Sequence, residues 1–310
     1  MPSRTGAGLG LVHYVRFNDI PGLPWSGPTK FGGAVSYQGV SLIQSNFGSP
    51  GNLEVVAVNS SNQLVHFWRD SGPSFTWSGP LVIANGVRGV PGLIQSRFGI
   101  MGNFEVVVPS LTGGLLHFWR NNDAPTLPWS GPTPFAQNLG LVDAVSLIES
   151  NFGSPGNLEL AATAAAAPGF PARQVFHVFR DSATLTWSNP APIRGDANVP
   201  AIGLPALIQS QFGTRGNFEL VVNSASGLQH FWRDNDAIGF PWHGPILVAV
   251  GFQSDIPSMI ESNFTPLPGL PGNLEVITET TFAVTTDLAH LWRSSATLLW
   301  SPPITVATNV

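Results

Sequence analysis

Residues 41–56 read SLIQSNFGSPGNLEVV, and four variants of the same stretch follow. They are GLIQSRFGIMGNFEVV at 92–107, SLIESNFGSPGNLELA at 146–161, ALIQSQFGTRGNFELV at 206–221 and SMIESNFTPLPGLPGNLEVI at 258–277. Self-similarity at a fixed period marks a repeat architecture. Outward from each copy lies a second signature, H-x-x-R, found at His13/Arg16, His66/Arg69, His117/Arg120, His177/Arg180, His230/Arg233 and His290/Arg293. Successive histidines stand 53, 51, 60, 53 and 60 residues apart. Seven to nine residues after each arginine comes a tryptophan: Trp25, Trp77, Trp129, Trp187, Trp242 and Trp300.

Each unit of about fifty residues holds four short apolar segments divided by glycine, proline, asparagine and serine. In the first complete unit they are Leu42–Gln44, Leu53–Val58, Leu64–Arg69 and Trp77–Ala84. Runs of that length, rich in valine, phenylalanine and tryptophan and bounded by turn residues, predict strands. A lone four-stranded sheet cannot bury two apolar faces, whereas stacked sheets can. The expected fold is all-β, a β-propeller of four-stranded antiparallel blades. With the strands of a blade named a to d, the sequence runs c–d and then five times a–b–c–d, or 22 strands. The opening PSRTGAGLGLVH (2–13) aligns with PSLTGGLLH (109–117), which places Met1 at a b–c loop.

The expectation is therefore about six repeats, five complete blades plus one half blade, in a single domain over 1–310. The repeats fall near 1–28 (half), 29–80, 81–132, 133–190, 191–245 and 246–310. Either the chain belongs to a longer protein, or a homo-oligomer or neighbouring chain supplies the missing hairpin, since an unpaired strand edge invites association. The insertions Ala161–Gln174, Thr265–Leu270 and Thr278–Asp287 read as long surface loops.

Composition narrows the function. The chain has 310 residues, a net charge of −5, no cysteine and 10% charged residues. The absence of cysteine excludes disulfide frameworks, thiolate zinc sites and cysteine nucleophiles. One lysine in an acidic chain offers no basic footprint for nucleic acid. No apolar run approaches the eighteen or so residues of a membrane helix. The opening MPSRTGAGLGLVHYV lacks the charged start and long apolar stretch of a signal peptide, so the sequence does not state a compartment.

Three resemblances follow from the motifs. The a–b element resembles the FG-GAP repeat of integrin-type propellers, whose calcium loop reads D-x-N-x-D-G-x-x-D. Asn46, Gly48, Pro50 and Glu54 stand at its ligand positions, with Phe47 and Gly51 kept around them. Calcium takes six to eight oxygen ligands, and these loops offer one carboxylate each, so the expectation is a retained turn and no metal or other cofactor. The c–d element resembles the Asp-box turn of sialidases, most clearly in RDSGPSFTW (69–77) and RDSATLTW (180–187). The resemblance implies a structural turn. A sialidase's nucleophilic tyrosine would have to be Tyr14 or Tyr37, and Tyr14 replaces a repeat phenylalanine. Taken whole, the chain resembles the repeat-built propeller lectins of bacteria and fungi, which implies glycan partners such as terminal fucose or N-acetylglucosamine.

The c strand carries the candidate site. Alternation puts His66 and Trp68 on one face of the sheet and Phe67 and Arg69 on the other. The same holds for His117, Trp119 and Arg120, for His230, Trp232 and Arg233, and for His290, Trp292 and Arg293, while Val15 and Phe179 replace the tryptophan in two units. One reading makes these residues packing groups, with a buried pair between each arginine and the b-strand glutamate of its own unit (Arg69–Glu54, Arg120–Glu105, Arg180–Glu159, Arg233–Glu219, Arg293–Glu275). The other makes them repeated, weak, metal-independent sugar sites between blades, with an aromatic face under a pyranose and polar groups on its hydroxyls. The d-strand tryptophans read as packing anchors. Catalysis requires an asymmetric set of groups, and the off-pattern residues Asp143, Arg173, Arg194, Asp196, His243, Asp255 and Glu279 are scattered. The chain is therefore expected to be no enzyme, with a protein-interaction scaffold or a module of a larger secreted protein as the alternative to a lectin, and a glycosidase behind both.

Overall fold

The computed structural model describes residues 9–15, 17, 19–21, 26, 28–72, 75–165, 173–194, 201–250, 257–264, 268–282 and 285–307. Arg16, Trp25, Asp196 and Asp255 lie outside them, as do residues 166–172 and 265–267 of the insertions. The chain divides into two compact units, Met1–Pro134 and Phe135–Val310.

The first unit opens with a two-stranded antiparallel sheet of β1 (Leu11–His13) and β2 (Thr29–Phe31). Its end at Phe31 lies three residues past the repeat boundary read at 28. Two four-stranded antiparallel sheets follow. The first blade is β3 (Tyr37–Gln44), β4 (Leu53–Asn59), β5 (Gln63–Arg69) and β6 (Trp77–Asn85). The second is β7 (Gly92–Gln95), β8 (Phe104–Pro109), β9 (Leu115–Arg120) and β10 (Trp129–Phe135).

The second unit holds three more such blades. The third is β11 (Val142–Glu149), β12 (Leu158–Ala164), β13 (Gln174–Arg180) and β14 (Ala191–Pro192). The fourth is β15 (Ala201–Gln209), β16 (Phe218–Ser224), β17 (Gly227–Arg233) and β18 (Trp242–Ala249). The fifth is β19 (Ser258–Glu261), β20 (Leu274–Phe282), β21 (Thr285–Arg293) and β22 (Ile304–Ala307).

In every blade the strands pair in chain order. The b strands are buried along almost their whole length, as in LEVVAVN of β4 and LELAATA of β12. A strand apolar on both faces needs cover on both, and the core clusters supply it. Val56 and Val58 of the first blade pack with Leu93, Phe104 and Phe118 of the second. Ala161 and Val175 of the third pack with Leu207, Phe218 and Phe231 of the fourth, and Val221 of the fourth with Met259 and Leu291 of the fifth. Leu11 of the two-stranded sheet packs with Val55, Val65 and Phe67 of the first blade. Fully burying a valine, leucine or phenylalanine of these clusters contributes about 1.5–3 kcal/mol.

The d-strand tryptophans are blade-to-blade anchors. Trp77 stacks on Phe31 at 4.0 Å, Trp129 meets His66 edge-on at 5.6 Å, Trp242 meets His177 at 5.9 Å and Trp300 meets His230 at 5.3 Å. Two insertions depart from expectation, the first of them only at its ends, where Ala161–Ala164 completes β12 and Gln174 opens β13, with Ala164 opposite Gln174. The segment Thr278–Asp287 is no surface loop: it lengthens the β20–β21 hairpin, with Thr278 opposite Ala289 and Phe282 opposite Thr285. Its run of threonines is β-branched and suits a paired strand.

The repeated signature is explained residue by residue at the a–b turn. Gly51 has φ 128°, and a Cβ there would collide with the Ser45 carbonyl. Gly102, Gly216 and Gly272 meet Ser96, Ser210 and Ser262 in the same way. The next residue, Asn52, accepts the Ser71 N–H at 2.9 Å and so ties the a–b turn to the c–d turn. Asn157 does the same for Ser182, and Asn273 for Ser295.

Candidate functional site: the seams between blades

The glutamate of the signature shows what holds the c strand. Glu54 lies directly across from Trp68, and Leu53 lies across from Arg69. Glu54 therefore shares a face with His66 and Trp68. The His66 Nε2–H donates to Glu54 Oε2 at 2.8 Å, while the Ser45 hydroxyl lies 3.2 Å from Oε1. The same bond, at 2.7 Å, joins His117 to Glu105, His177 to Glu159, His230 to Glu219 and His290 to Glu275. Ser96, Ser150, Ser210 and Ser262 repeat the serine contact.

The expected pair of Arg69 with Glu54, and its four counterparts, is therefore corrected. Alternation turns each arginine to the opposite face of its own sheet from the glutamate. Three of the arginines instead feel the charge of a glutamate in the preceding blade. Burial lowers the pKa of Arg120, and Glu54 of the preceding blade works against that shift. Arg233 stands in the same relation to Glu159, and Arg293 to Glu219.

Aromatic faces cradle these cations. Arg120 lies 3.9 Å over Phe104 and 5.2 Å from Phe47 of the preceding blade. Arg233 lies 3.9 Å over Phe218 and 5.4 Å from Phe152, and Arg293 is 5.4 Å from Phe212. Such cation–π contacts gain strength when desolvated. Arg120 Nε also donates to Asn122 at 2.7 Å, and Arg233 Nε to Asn235 at 2.6 Å.

A second seam device is an amide clamp. The Asn46 N–H donates to Gln95 Oε1 of the next blade at 2.9 Å, and Gln95 Nε2 returns to Asn46 Oδ1 at 2.6 Å. Asn151 and Gln209 repeat it at 2.8 and 2.7 Å. Between the fourth and fifth blades Glu261 replaces the glutamine and accepts the Gln211 N–H at 2.6 Å. Burial raises its pKa, while the N–H groups of Gln211 and Gly272 oppose that shift. Asn46 and Glu54, two of the calcium-type positions, are thus engaged in protein contacts. Among the described residues no group of three or more potential ligands forms.

The twelve candidate residues separate by depth. His66, His117, His230, Arg120, Arg233 and Arg293 are buried; Trp68, Trp119, Trp232, Trp292 and Arg69 are partly exposed. His290 is the most open of the five glutamate-bonded histidines, with 32% of its side chain exposed against 19% for Glu275. Each tryptophan rests near its own histidine, at 5.5, 5.7, 5.8 and 5.7 Å in chain order. Trp232 also stacks on His243 at 5.2 Å, so less of its ring is free. The serine–carboxylate–histidine row has the wrong order for hydrolysis. There the carboxylate sits between the other two, whereas a nucleophilic serine needs the histidine beside it.

Sequence reasoning missed the His–Glu bond, the serine and the amide clamp. The signal was the Ser-x8-Glu spacing, read with the register that places Glu54 beside His66 rather than Arg69.

Comparison of the sequence with protein families finds no match, and comparison with curated proteins finds none. Solved structures do match. The BP39L lectin from Burkholderia pseudomallei aligns over 91% of this chain and 74% of its own, at 23% identity and TM-score 0.65. A mutant of the Aleuria aurantia lectin, in complex with α-methyl-L-fucoside, covers 86% and 77% at 11% identity and TM-score 0.57. The GH93 α-L-arabinofuranosidase of Fusarium graminearum, with arabinobiose, covers 86% and 80% at 15% identity and TM-score 0.53. The fold is a β-propeller. Lectins and a glycosidase alike share it, so fold alone assigns no chemistry.

Proposed function

We propose that this propeller is a multivalent carbohydrate-binding protein that works without catalysis and without a metal. Its ligands are terminal monosaccharides such as fucose or N-acetylglucosamine. One observation carries the reading: a partly exposed tryptophan recurs at the same c-strand position in four blades, each set beside a His–Glu pair that is buried in three of them and partly exposed at His290–Glu275. An indole face covers the apolar C–H face of a pyranose. The buried histidines and arginines hold that face in place, and Arg69, the one unburied arginine of the four assigned to sites, reaches solvent. Single sites of this kind are weak, and repetition raises avidity by about 10²–10⁴-fold. The lectin neighbours support the reading. The occupied glutamates favour binding over glycoside hydrolysis, which requires two available carboxyl groups.

We also read β1–β2 as the c–d half of a sixth blade. His13 pairs across from Thr29 as His66 does from Leu81.

The test is a glycan array probed with labelled protein, with and without a calcium chelator. Chelator-resistant binding to one terminal sugar, weakened in a folded Trp68→Ala/Trp119→Ala variant, is the expected result. A blank array from folded protein would overturn the reading in favour of a protein-interaction scaffold.

A further inference from the structure

Asn85–Gly86 is the one asparagine–glycine pair in the chain. It stands exposed at the end of β6, where the backbone leaves the first blade for the second. Gly86 has φ 78°, a conformation that glycine adopts readily, and nothing lies within 4 Å of a Cβ built there. Two bonds fix the crossing on its far side. Gly86 O accepts the Leu111 N–H at 2.9 Å, and the Val87 N–H donates to Asn62 O at 3.2 Å. Val87 is fully buried in the cluster that the two blades share.

The groups that let an amide react with its own backbone meet at this point. Among the described residues the Gly86 N–H has no acceptor, and no Cβ screens its nitrogen. Asn85 Oδ1 accepts the Gln63 Nε2–H at 3.0 Å, and Asn59 Nδ2 holds Gln63 Oε1 at 3.0 Å in turn. Asn59 is itself buried, and its Oδ1 accepts the N–H groups of Ser61 and Gln63. A donor fixed on a carbonyl oxygen stabilises the charge that gathers there when the carbon is attacked. Asn85 Nδ2, the leaving group of such an attack, makes no bond among the described residues. The other asparagines nearby are placed differently. Asn52 and Asn59 precede Leu53 and Ser60, and their Nδ2 groups are engaged by Asp70 and Gln63.

We propose that Asn85–Gly86 is a self-modification site, with water as co-reactant and Gln63 as the donor to the reacting carbonyl. Hydroxide takes the Gly86 amide proton, and the nitrogen attacks Asn85 Cγ. The Cγ–Nδ2 bond breaks, ammonia departs with a proton from water, and a five-membered imide remains. Water then opens that ring at one of two C–N bonds. Breaking the newly made bond leaves aspartate. Breaking the original peptide bond leaves isoaspartate, whose main chain runs through Cβ. In sum one water is consumed and one ammonia released, with no oxidant or reductant. The isoaspartyl product inserts a methylene into the backbone just before the two bonds of the crossing, and so lengthens the tie between the first and second blades. The inference is independent of sugar binding.

The whole chain is aged in mildly alkaline buffer and digested with trypsin. Peptide 70–88 holds Asn85 as its one asparagine, so its conversion is read directly by mass, and an isoaspartyl methyltransferase labels the isoaspartyl form. Conversion of this peptide ahead of every other asparagine-bearing peptide is expected, at a rate that rises with hydroxide concentration. Gly86→Ala, which screens the nitrogen, should bring the rate down to that of the other asparagines. Gln63→Met removes the donor and should slow conversion about two- to tenfold in folded protein, the scale of one hydrogen bond, while leaving the rate in urea unchanged. The amides of Val87 and Leu111 should exchange faster in aged than in fresh protein, and equally in aged and fresh Asn85→Gln protein. An intact Asn85, or conversion no faster than at the other asparagines, overturns the proposal. So does conversion in urea alone, because the fold then protects the pair. Equal or faster conversion in folded Gln63→Met overturns the role of Gln63, and unchanged exchange after ageing overturns the effect on the crossing.

Discussion

His66 Nε2 lies 2.8 Å from Glu54 Oε2, with 2% and 3% of the two side chains exposed. A bond of this kind is modest in net terms while it is intact, yet leaving a buried partner without it is costly. The five equivalents differ in burial, which supplies an internal comparison. Glu219→Gln acts where carboxylate and imidazole are 1% and 0% exposed, and should cost about 1–3 kcal/mol. Glu275→Gln acts where they are 19% and 32% exposed and should cost clearly less, because water replaces the lost partner. Urea midpoints at constant m-value measure both. Equal losses would show that burial does not set the strength of the bond.

The a–b turn makes a backbone prediction. Gly102 has φ 72° and no room for a Cβ beside the Ser96 carbonyl. Gly102→Ala should destabilise the protein by about 1–3 kcal/mol. Gly86→Ala, at φ 78° with open space around it, isolates the conformational part of that cost. Thermal unfolding of the two variants checks the ordering, Gly102→Ala being the worse.

Glu261 predicts a pH effect with a definite sign. Its folded-state pKa is raised, first by burial, so the folded protein holds that proton more tightly than the unfolded chain does. Above both pKa values the carboxylate costs stability, and that cost is relieved as the pH falls through the raised value. Glu261→Gln restores the residue found at Gln44, Gln95 and Gln209. It should raise stability at neutral pH and narrow the advantage as the pH approaches the ordinary glutamate range. Unfolding midpoints of both proteins between pH 4 and 8 decide this. A variant less stable than the parent at pH 7 would mean that the charged bond to Gln211 outweighs burial.

Much of this architecture was legible because the repeat is strict. Two signatures a fixed distance apart located the four strands of the first blade to within a few residues, apart from the a strand, which begins five residues earlier at Tyr37. Strand alternation placed His66 and Trp68 on one face. The Glu–Arg pairing failed because it was matched by charge within one repeat, without the antiparallel register that sets Leu53 across from Arg69. The amide clamp of Asn46 and Gln95 could not be read locally, because its halves lie in different blades 49 residues apart. Threonine-rich Thr278–Asp287 looked like an insertion, and its length hid that it pairs with itself.

The arginine–glutamate relationship across the seam can be measured directly. Arg120 feels Glu54 of the preceding blade, while Arg69, in Glu54's own blade, points to the other face. A double-mutant cycle with Arg120→Met and Glu54→Gln keeps most of the packing volume and removes the charges. Its coupling energy should fall in the range of about 0.5–3 kcal/mol seen for residues within one network. The matching cycle of Arg69→Met with Glu54→Gln should be close to additive. Removing Arg120 takes a cation off Phe104 and Phe47 and should loosen the seam between the first and second blades. Hydrogen exchange of β4 and β8 amides, which lie on either side of that seam, would register the loosening. A larger coupling for Arg69 than for Arg120 would restore the within-blade pairing and refute the cross-seam one.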